Sequence, residues 1–567
     1  MQRSDLDMKK SNKPRGRFQT NKTSAKSPVK KTRKFGFYAL ALCAILVFAT
    51  FLSLFFFYGP SPINGSDNFL YVDFGYYLSV GNFQKVAQWG ILAQQYILDA
   101  GIALFFLFLG PGRFSSSLFG VLCFLLTIFT LYKMGSLLYN RKAGLLAAFF
   151  YSFNPIAVVN SSYVGDNGPM AFFATLTVFF LAKAIKSKGI DQKRNYALSG
   201  FFGLIILLTT SQGIIILIVP AIVLLAYLIK DRNKAAIAKI LYFAIGIALA
   251  FVIIAVLGYA AASNPLYIFS LNSHVYSASQ MPKPQLMTYI GYLFSFNVAW
   301  NLSNILAMAR AHSGLISILQ YVRYWLFNAS TFNYAVWQTV GLFGYATVIA
   351  VIYLFVRRNL RFWLPGLWFL STLLYLGWGT VSITRYIPIG YSYSRFTLLF
   401  MPALALIMGF AAADICDFGK NGHEKASGTT IATRYALNIA LAAVAVVLLA
   451  NSVLAIRYID LSQFYWVYNL IAIGNYIKML PSSAIIYSNY PIEEYSGFSH
   501  TVAFIPENCT DLSNGSYVVA NYSVSFASEC NLSVVFRPVP PQYLKNYDMF
   551  RSAAWGTFYN MTLYYHK

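Results

Sequence analysis

The chain has 567 residues, 58% of them hydrophobic and 18% aromatic, with a mean hydropathy of +0.56, which excludes a soluble protein of several domains and indicates a polytopic membrane protein. The formal net charge of +25 does not point to nucleic acid. The basic residues gather in an N-terminal tail and in short loops between apolar runs, as in the cytoplasmic flanks of membrane spans.

Residues 1–34 are rich in Lys, Arg, Ser, Thr and Pro and predict a disordered cytoplasmic tail able to touch anionic lipid. Phe35 to Tyr58 is long enough to span the bilayer and lacks a small-residue cleavage site, so it predicts an uncleaved anchor that leaves the next segment outside. That segment contains Asn68-Phe-Leu-Tyr-Val-Asp73-Phe-Gly-Tyr-Tyr77-Leu-Ser-Val-Gly81. It brings a carboxylate, a row of tyrosines and flexible glycines to a membrane surface, where an apolar carrier and a polar substrate meet. Asp73 is the leading catalytic candidate, with Tyr76 and Tyr77 as aromatic substrate contacts. The competing reading is an interfacial helix with an aromatic belt and a solvated aspartate.

The apolar run Ile91 to Gly110 decides the topology. Were it to cross, Arg141-Lys142, Lys186 to Arg194, Asp231 to Lys234 and Arg357 to Arg361 would all lie outside, against the positive-inside rule. The run is therefore expected along or dipping into the outer surface, with Asp99 facing water. Spans are predicted at 35–58, 115–138, 144–160, 169–185, 197–211, 213–230, 238–260, 334–356, 362–380, 395–414 and 434–456, about eleven in all, which leaves the C-terminus outside. The sequons at Asn64, Asn160, Asn301, Asn328, Asn508, Asn514, Asn521, Asn531 and Asn560 fall on the outer side in this arrangement, and Asn21-Lys-Thr in the tail is the exception.

Two outer segments are large. Residues 261–333 mix aromatics with short apolar stretches and suggest helices on the membrane surface. From about 458 to 567 an aromatic amphipathic stretch is followed by strand-like runs at 484–487, 517–520, 532–536 and 562–565, separated by turn residues. The predicted fold is thus a polytopic α-helical membrane domain over 35–457, with outer loops at 59–114, 160–168, 261–333 and 381–394, and a small external α/β domain. Cys43, Cys123 and Cys416 sit in or beside apolar runs, which leaves Cys509 and Cys530 as the disulfide candidate.

Asp166, in Gly165-Asp-Asn-Gly-Pro169 just before an apolar span, faces the same side as Asp73. Its sequence context equally suits a turn and a helix N-terminus. Two carboxylates at a membrane face suit a transferase, one taking a proton from an acceptor hydroxyl and one holding the acceptor or a cation. Arg385 and Arg395 stand among tyrosines at the outer ends of two spans, where a guanidinium either snorkels or grips a lipid phosphate through its forked donors. Lys85, Arg113, Lys283 and Arg323 are further outer cations. His274, His312 and His500 are isolated, and Glu493-Glu494 suits a solvated face.

In this order, Val-Asp73-x-x-Tyr-Tyr, Tyr139-Asn-Arg-Lys-Ala-Gly144, Phe153-Asn-Pro155, Asp166 before Pro169-Met-Ala-Phe-Phe, and Ser394-Arg-Phe-Thr-Leu-Leu-Phe-Met-Pro402 resemble the C-type, polyprenyl-phosphate-dependent glycosyltransferases, in particular the protein O-mannosyltransferase and aminoarabinose-transferase branch. The resemblance covers residues 35–415 through short motifs. It implies an integral membrane enzyme, in the plasma membrane or an endomembrane, that takes one sugar from a polyprenyl or dolichyl monophosphate on the extracytoplasmic or lumenal side and delivers it to a lipid, glycan or protein acceptor. It assigns catalysis to Asp73, a second acid to Asp166 and carrier phosphate to Arg395; Lys85, Arg323 and Arg385 are phosphate candidates by their outer position alone. Membrane lipid is an implied partner and nucleic acid is not. The family often has a second acid after the first, and here that position is Phe74, so a divalent metal ion is left open as a cofactor. The oligosaccharyltransferases share the architecture, but the C-terminal region lacks a Trp-Trp-Asp motif. A transporter or flippase would instead predict acids at mid-membrane, for which Asp99 is the test, and an inactive scaffold would leave Asp73 and Asp166 as surface residues.

Overall fold

The computed structural model describes residues 29–58, 66–82, 95–231, 234–267, 343, 346–378, 394–417, 428–488, 492, 499–500, 502–503, 505–506, 508–521, 530–539 and 561–567. Helix α1 spans Val29–Tyr58 and α2 spans Ser66–Ser79. They are followed by α3 (Tyr96–Leu109), α4 (Arg113–Leu138), α5 (Arg141–Ser152), α6 (Pro155–Ser162) and α7 (Asn167–Lys186). Next come α8 (Gly189–Ile205), α9 (Ile218–Asp231), α10 (Lys234–Ala262) and α11 (Ala346–Val356). The last helices are α12 (Trp363–Trp378), α13 (Met401–Asp417) and α14 (Gly428–Ile477).

Among the described residues, five helices are long and apolar enough to cross a membrane, and α5 with α6 makes a sixth if that bent pair is one span. The protein is an integral membrane protein. α1 begins at Val29, inside the basic stretch expected to be disordered to residue 34. The expected continuous span 144–160 is broken, with α5 and α6 meeting at 63°. The break is written locally. Pro155 occupies the first turn of α6 and Asn154 caps it by accepting from the Ala157 N–H at 3.1 Å, so the chain restarts a helix there instead of continuing one. The expected span 197–211 likewise ends early, turning through 3₁₀ segments at Ile206–Leu208 and Ser211–Leu217.

Small residues hold the bundle centre. A Cβ on Gly135 would lie 2.6 Å from the Gly144 Cα, and one on Gly409 would lie 2.7 Å from the Ala143 carbonyl oxygen. α5 is therefore clasped between α4 and α13 at backbone distance, the close approach that membrane helices use in place of a hydrophobic driving force. Ala143, Ala147 and Ala148 are fully buried in this seam.

α14 is one uninterrupted helix of 50 residues, where the sequence suggested a span and a separate amphipathic stretch. No proline lies within it and its only internal glycine, Gly474, comes near the end, so nothing stops it. At 1.5 Å per residue it is about 75 Å long, more than twice the roughly 30 Å hydrocarbon core. It ends in a five-stranded sheet: β1 (Ile486–Ser488), β2 (Val502–Ala503), β3 (Tyr517–Asn521), β4 (Leu532–Phe536) and β5 (Met561–His566), in the order β2-β1-β3-β5-β4. β1 pairs parallel with β2 and β3, whereas β5 runs antiparallel to β3 and β4. The four expected strand runs are present, and Val502–Ala503 adds a fifth. Cys509 and Cys530 form a disulfide that ties the segment before β3 to the start of β4.

Candidate active site

α2 carries Asp73, Tyr76 and Tyr77. The helix stops by a Schellman turn, in which the Asn82 N–H reaches the Tyr77 carbonyl at 2.8 Å and the Gly81 N–H reaches that of Leu78 at 3.2 Å, with Gly81 at φ 75°. Gly75 is no flexible link. It sits mid-helix against Ile102 of α3, whose Cβ would be 2.8 Å from an added Cβ. Phe74 is wholly buried and packs with Leu70, Tyr77 and Leu78. A carboxylate at that position would be an isolated buried charge, which explains why this chain carries no second acid there. Asp73 is partly exposed and the Tyr76 and Tyr77 rings lie 5.7 Å apart.

Asp166 stands at the N-terminus of α7, where the helix macrodipole favours a negative charge, yet its side chain makes no capping hydrogen bond. Its place in a turn at the helix N-terminus is the one its sequence context suggested. It is 8% exposed. Its loop rests on α4 at Gly120, where an added Cβ would be 2.6 Å from the Ser161 carbonyl oxygen.

One apolar cluster joins the two acids' supports. Tyr71 and Val72 of α2, Leu98, Ile102 and Phe106 of α3, and Val164, two residues before Asp166, pack together. They are joined by Leu470, Ile473 and Ile477 of α14 and by Ile486, Val519 and Leu563 of the sheet. The sheet is thus mortared to the helices that present Asp73 and Asp166. The backbone of Arg395 lies in the 3₁₀ segment Ser394–Leu399, which packs against both α6 and α7. The Trp368 indole N–H anchors that segment through the Leu399 carbonyl at 3.0 Å. The Arg395 segment therefore packs on the helix that Asp166 opens, although 229 positions separate the two residues in the chain. Lys85, Arg323, Arg385, Lys283, His274, His312 and Glu493-Glu494 lie outside the described residues. His500 is buried, with Nδ1 2.8 Å from the Ser499 Oγ and Nε2 2.9 Å from the Pro481 carbonyl oxygen, and serves packing. Among the described residues no group of three His, Cys, Asp or Glu is arranged to hold a metal.

Asp99 corrects the sequence reading. Instead of facing water it is fully buried, and neither carboxylate oxygen has a hydrogen-bond partner. Gln95, Asp99, Ile102 and Phe106 share one face of α3 by helical spacing. Gln95 Nε2 donates to the Tyr71 hydroxyl at 2.8 Å and Ile102 covers Gly75, so the stripe holding Asp99 faces the part of α2 that carries Asp73. Burial pushes the Asp99 carboxyl well above the usual carboxylate range. The spacing of Gln95, Asp99 and Ile102 was the signal in the sequence that could have placed it inward.

Sequence reasoning also missed the other end of the bundle. The Tyr139 hydroxyl donates to Asp414 Oδ1 at 2.6 Å and the Tyr353 hydroxyl to Oδ2 at 2.9 Å. Arg357 Nε lies 3.6 Å from Oδ2, Arg361 stacks over the Tyr139 ring at 5.0 Å, and Lys142 pairs with Asp417 at 3.2 Å.

Over its length the chain superposes on ArnT from Cupriavidus metallidurans in the apo state, with a TM-score of 0.58 at 12% identity, covering 94% of this chain and 98% of that one. The fold is that of the C-type glycosyltransferases. The same ArnT bound to undecaprenyl phosphate matches this C-type fold at a TM-score of 0.54 and 11% identity, over 93% and 97% of the two chains. The Archaeoglobus fulgidus oligosaccharyltransferase in its apo form gives 0.47 at 14% identity, over 85% of this chain and 69% of that one. Residues 95–259 match the family described as dolichyl-phosphate-mannose-protein mannosyltransferase, a stretch of the C-type fold that includes Asp99 and Asp166 and excludes Asp73 and Arg395. No curated protein matches the chain by sequence.

Proposed function

We propose that the protein is a membrane glycosyltransferase that moves a single sugar from a polyprenyl or dolichyl monophosphate to an acceptor hydroxyl. The observation that carries this reading is the shared apolar cluster, which draws the helix of Asp73 and the loop of Asp166 together while the Arg395 segment packs on the helix that Asp166 opens. Asp73, partly exposed, is the general base on the acceptor hydroxyl. Asp166 orients the acceptor, and Arg395, with Lys85, Arg323 and Arg385 as further candidates, holds the departing phosphate. The displacement inverts the anomeric centre, and a monophosphate leaving group is acidic enough to need no strong general acid. Tyr76 and Tyr77 provide aromatic contact to the sugar.

The site is assigned to the extracytoplasmic or lumenal face. The basic residues Arg141, Lys142, Lys186, Arg194, Arg357 and Arg361 follow or open helices at the other end of the spans, and the positive-inside rule supports taking that end as cytoplasmic. Residues 458–567 then form the external domain that caps the site, and the acceptor is a lipid, glycan or protein reached from that side. A transporter is not favoured by Asp99, because α3 has only 14 residues, short of the roughly 20 that cross a bilayer.

The test is sugar release from a radiolabelled polyprenyl-phosphate sugar by wild type and Asp73→Asn, with folding checked by thermal stability. Turnover by wild type and its loss in a well-folded variant support the reading. Full activity in the variant removes Asp73 from the mechanism.

A further inference from the structure

At the end of the bundle opposite the acids, a groove of about 460 Å³ opens between α5, α13 and α14, within the 300–1,000 Å³ or so typical of ligand sites. Its two walls are in register. α5 contributes Lys142, Leu146, Phe149 and Phe150, and α14 contributes Asn438, Leu441, Ala442 and Ala445, each set on one face of its helix. Each wall is polar at the end of the bundle and apolar deeper in, over about 10 Å of helix rise.

Two further observations concern the polar end. Asn438 Oδ1 is buried there with no hydrogen-bond partner, an acceptor awaiting a donor. The charge around it is positive: Arg141, Lys142, Arg357, Arg358 and Arg361 gather at this end against Asp414 and Asp417. Lys142 spends one of its three donors on Asp417 at 3.2 Å, which fixes the ammonium at the mouth and leaves donors for an anion.

We infer that this groove is a binding site for an anionic glycerophospholipid of the leaflet opposite the acid site, with one acyl chain between α5 and α14, its phosphate on Lys142 and a head-group hydroxyl or ammonium donating to Asn438. The site lies at the far end of α4 from Asp73, so its occupancy is independent of the reaction proposed above.

The test is native mass spectrometry of the full-length protein, exposed to equal amounts of phosphatidylglycerol and phosphatidylcholine with the same acyl chains. Wild type is expected to retain phosphatidylglycerol over phosphatidylcholine by roughly tenfold, the size of one charge-assisted contact. Lys142→Gln is expected to bring the ratio near one. Ala442→Trp, which fills the groove and leaves every charge in place, is expected to lose both lipids, and Ala445→Phe provides the same test should the first variant misfold. Equal retention of the two lipids by wild type overturns the proposal, as does wild-type retention by folded variants with a filled groove.

Discussion

The two ends of the bundle treat their carboxylates in opposite ways. Asp414 is held by two tyrosine hydroxyls and an arginine, and Asp417 by Lys142, so at that end charge is used to fasten helix termini together. About 39 Å away along the 26 residues of α4, Asp73 is partly open, Asp166 leaves its capping position unused and Asp99 is buried without a partner. Asp99, at the other end, is instead sealed in an apolar seam where only a neutral carboxyl is tolerated.

That contrast can be broken most sharply by exchanging the same mutation between ends. Asp73→Asn is expected to lower turnover by about 10²–10⁴ with an unchanged melting temperature. Asp414→Asn is expected to do the reverse, costing about 2–3 kcal/mol of stability through weakened charge-assisted bonds while turnover per folded molecule stays the same. Measuring turnover and melting for both variants checks the pair, and loss of activity without loss of stability in Asp414→Asn would dissolve the distinction.

The five-stranded sheet gives the next largest effect. Reducing or replacing the Cys509–Cys530 pair, which closes a loop over a separation of 21 residues, is expected to destabilise the sheet by about 3 kcal/mol, readable as earlier proteolysis within residues 486–566. Asp99→Asn sharpens the contrast through pH. The folded protein raises this carboxyl's pKa, so burial costs nothing below the unfolded value near 4 and costs progressively more as pH rises towards the folded value. The variant is therefore expected to be more stable than wild type by about 1–3 kcal/mol at neutral pH, with the difference closing at about pH 4. Denaturation at several pH values measures it, and a difference that grows on acidification would contradict the buried neutral acid. The smallest effect is expected from Arg395→Lys. It keeps the charge and loses the forked geometry, raising the KM for the lipid-phosphate donor by roughly tenfold with kcat little changed.

Much of this was written in local sequence. Apolar runs longer than the bilayer is thick can hardly avoid becoming spans, the Asn154-Pro155 pair breaks the helix wherever the rest of the chain lies, and alternating aromatic and β-branched residues between turns make the strands around Tyr517 and Leu563. Asp73 and Asp166 were visible because a carboxylate at the end of an apolar run is costly to place without purpose. Gly75 misled, since a glycine's freedom and its lack of a Cβ look alike until a neighbour such as Ile102 arrives. Asp99 misled for a related reason, because its surroundings depend on which face of α3 meets α2.

The sequence by itself therefore determined a membrane bundle and a run of strands after it, because hydropathy, capping and turn chemistry act over a few residues. Only the tertiary structure decided that Val72 and Val164 share one cluster with the sheet, that the Arg395 segment lies on the helix of Asp166, and that Asp99 is sealed while Asp414 is fastened. Those pairings join positions hundreds of residues apart through packing, and packing is a property of the surfaces that meet, which no short stretch of the chain contains.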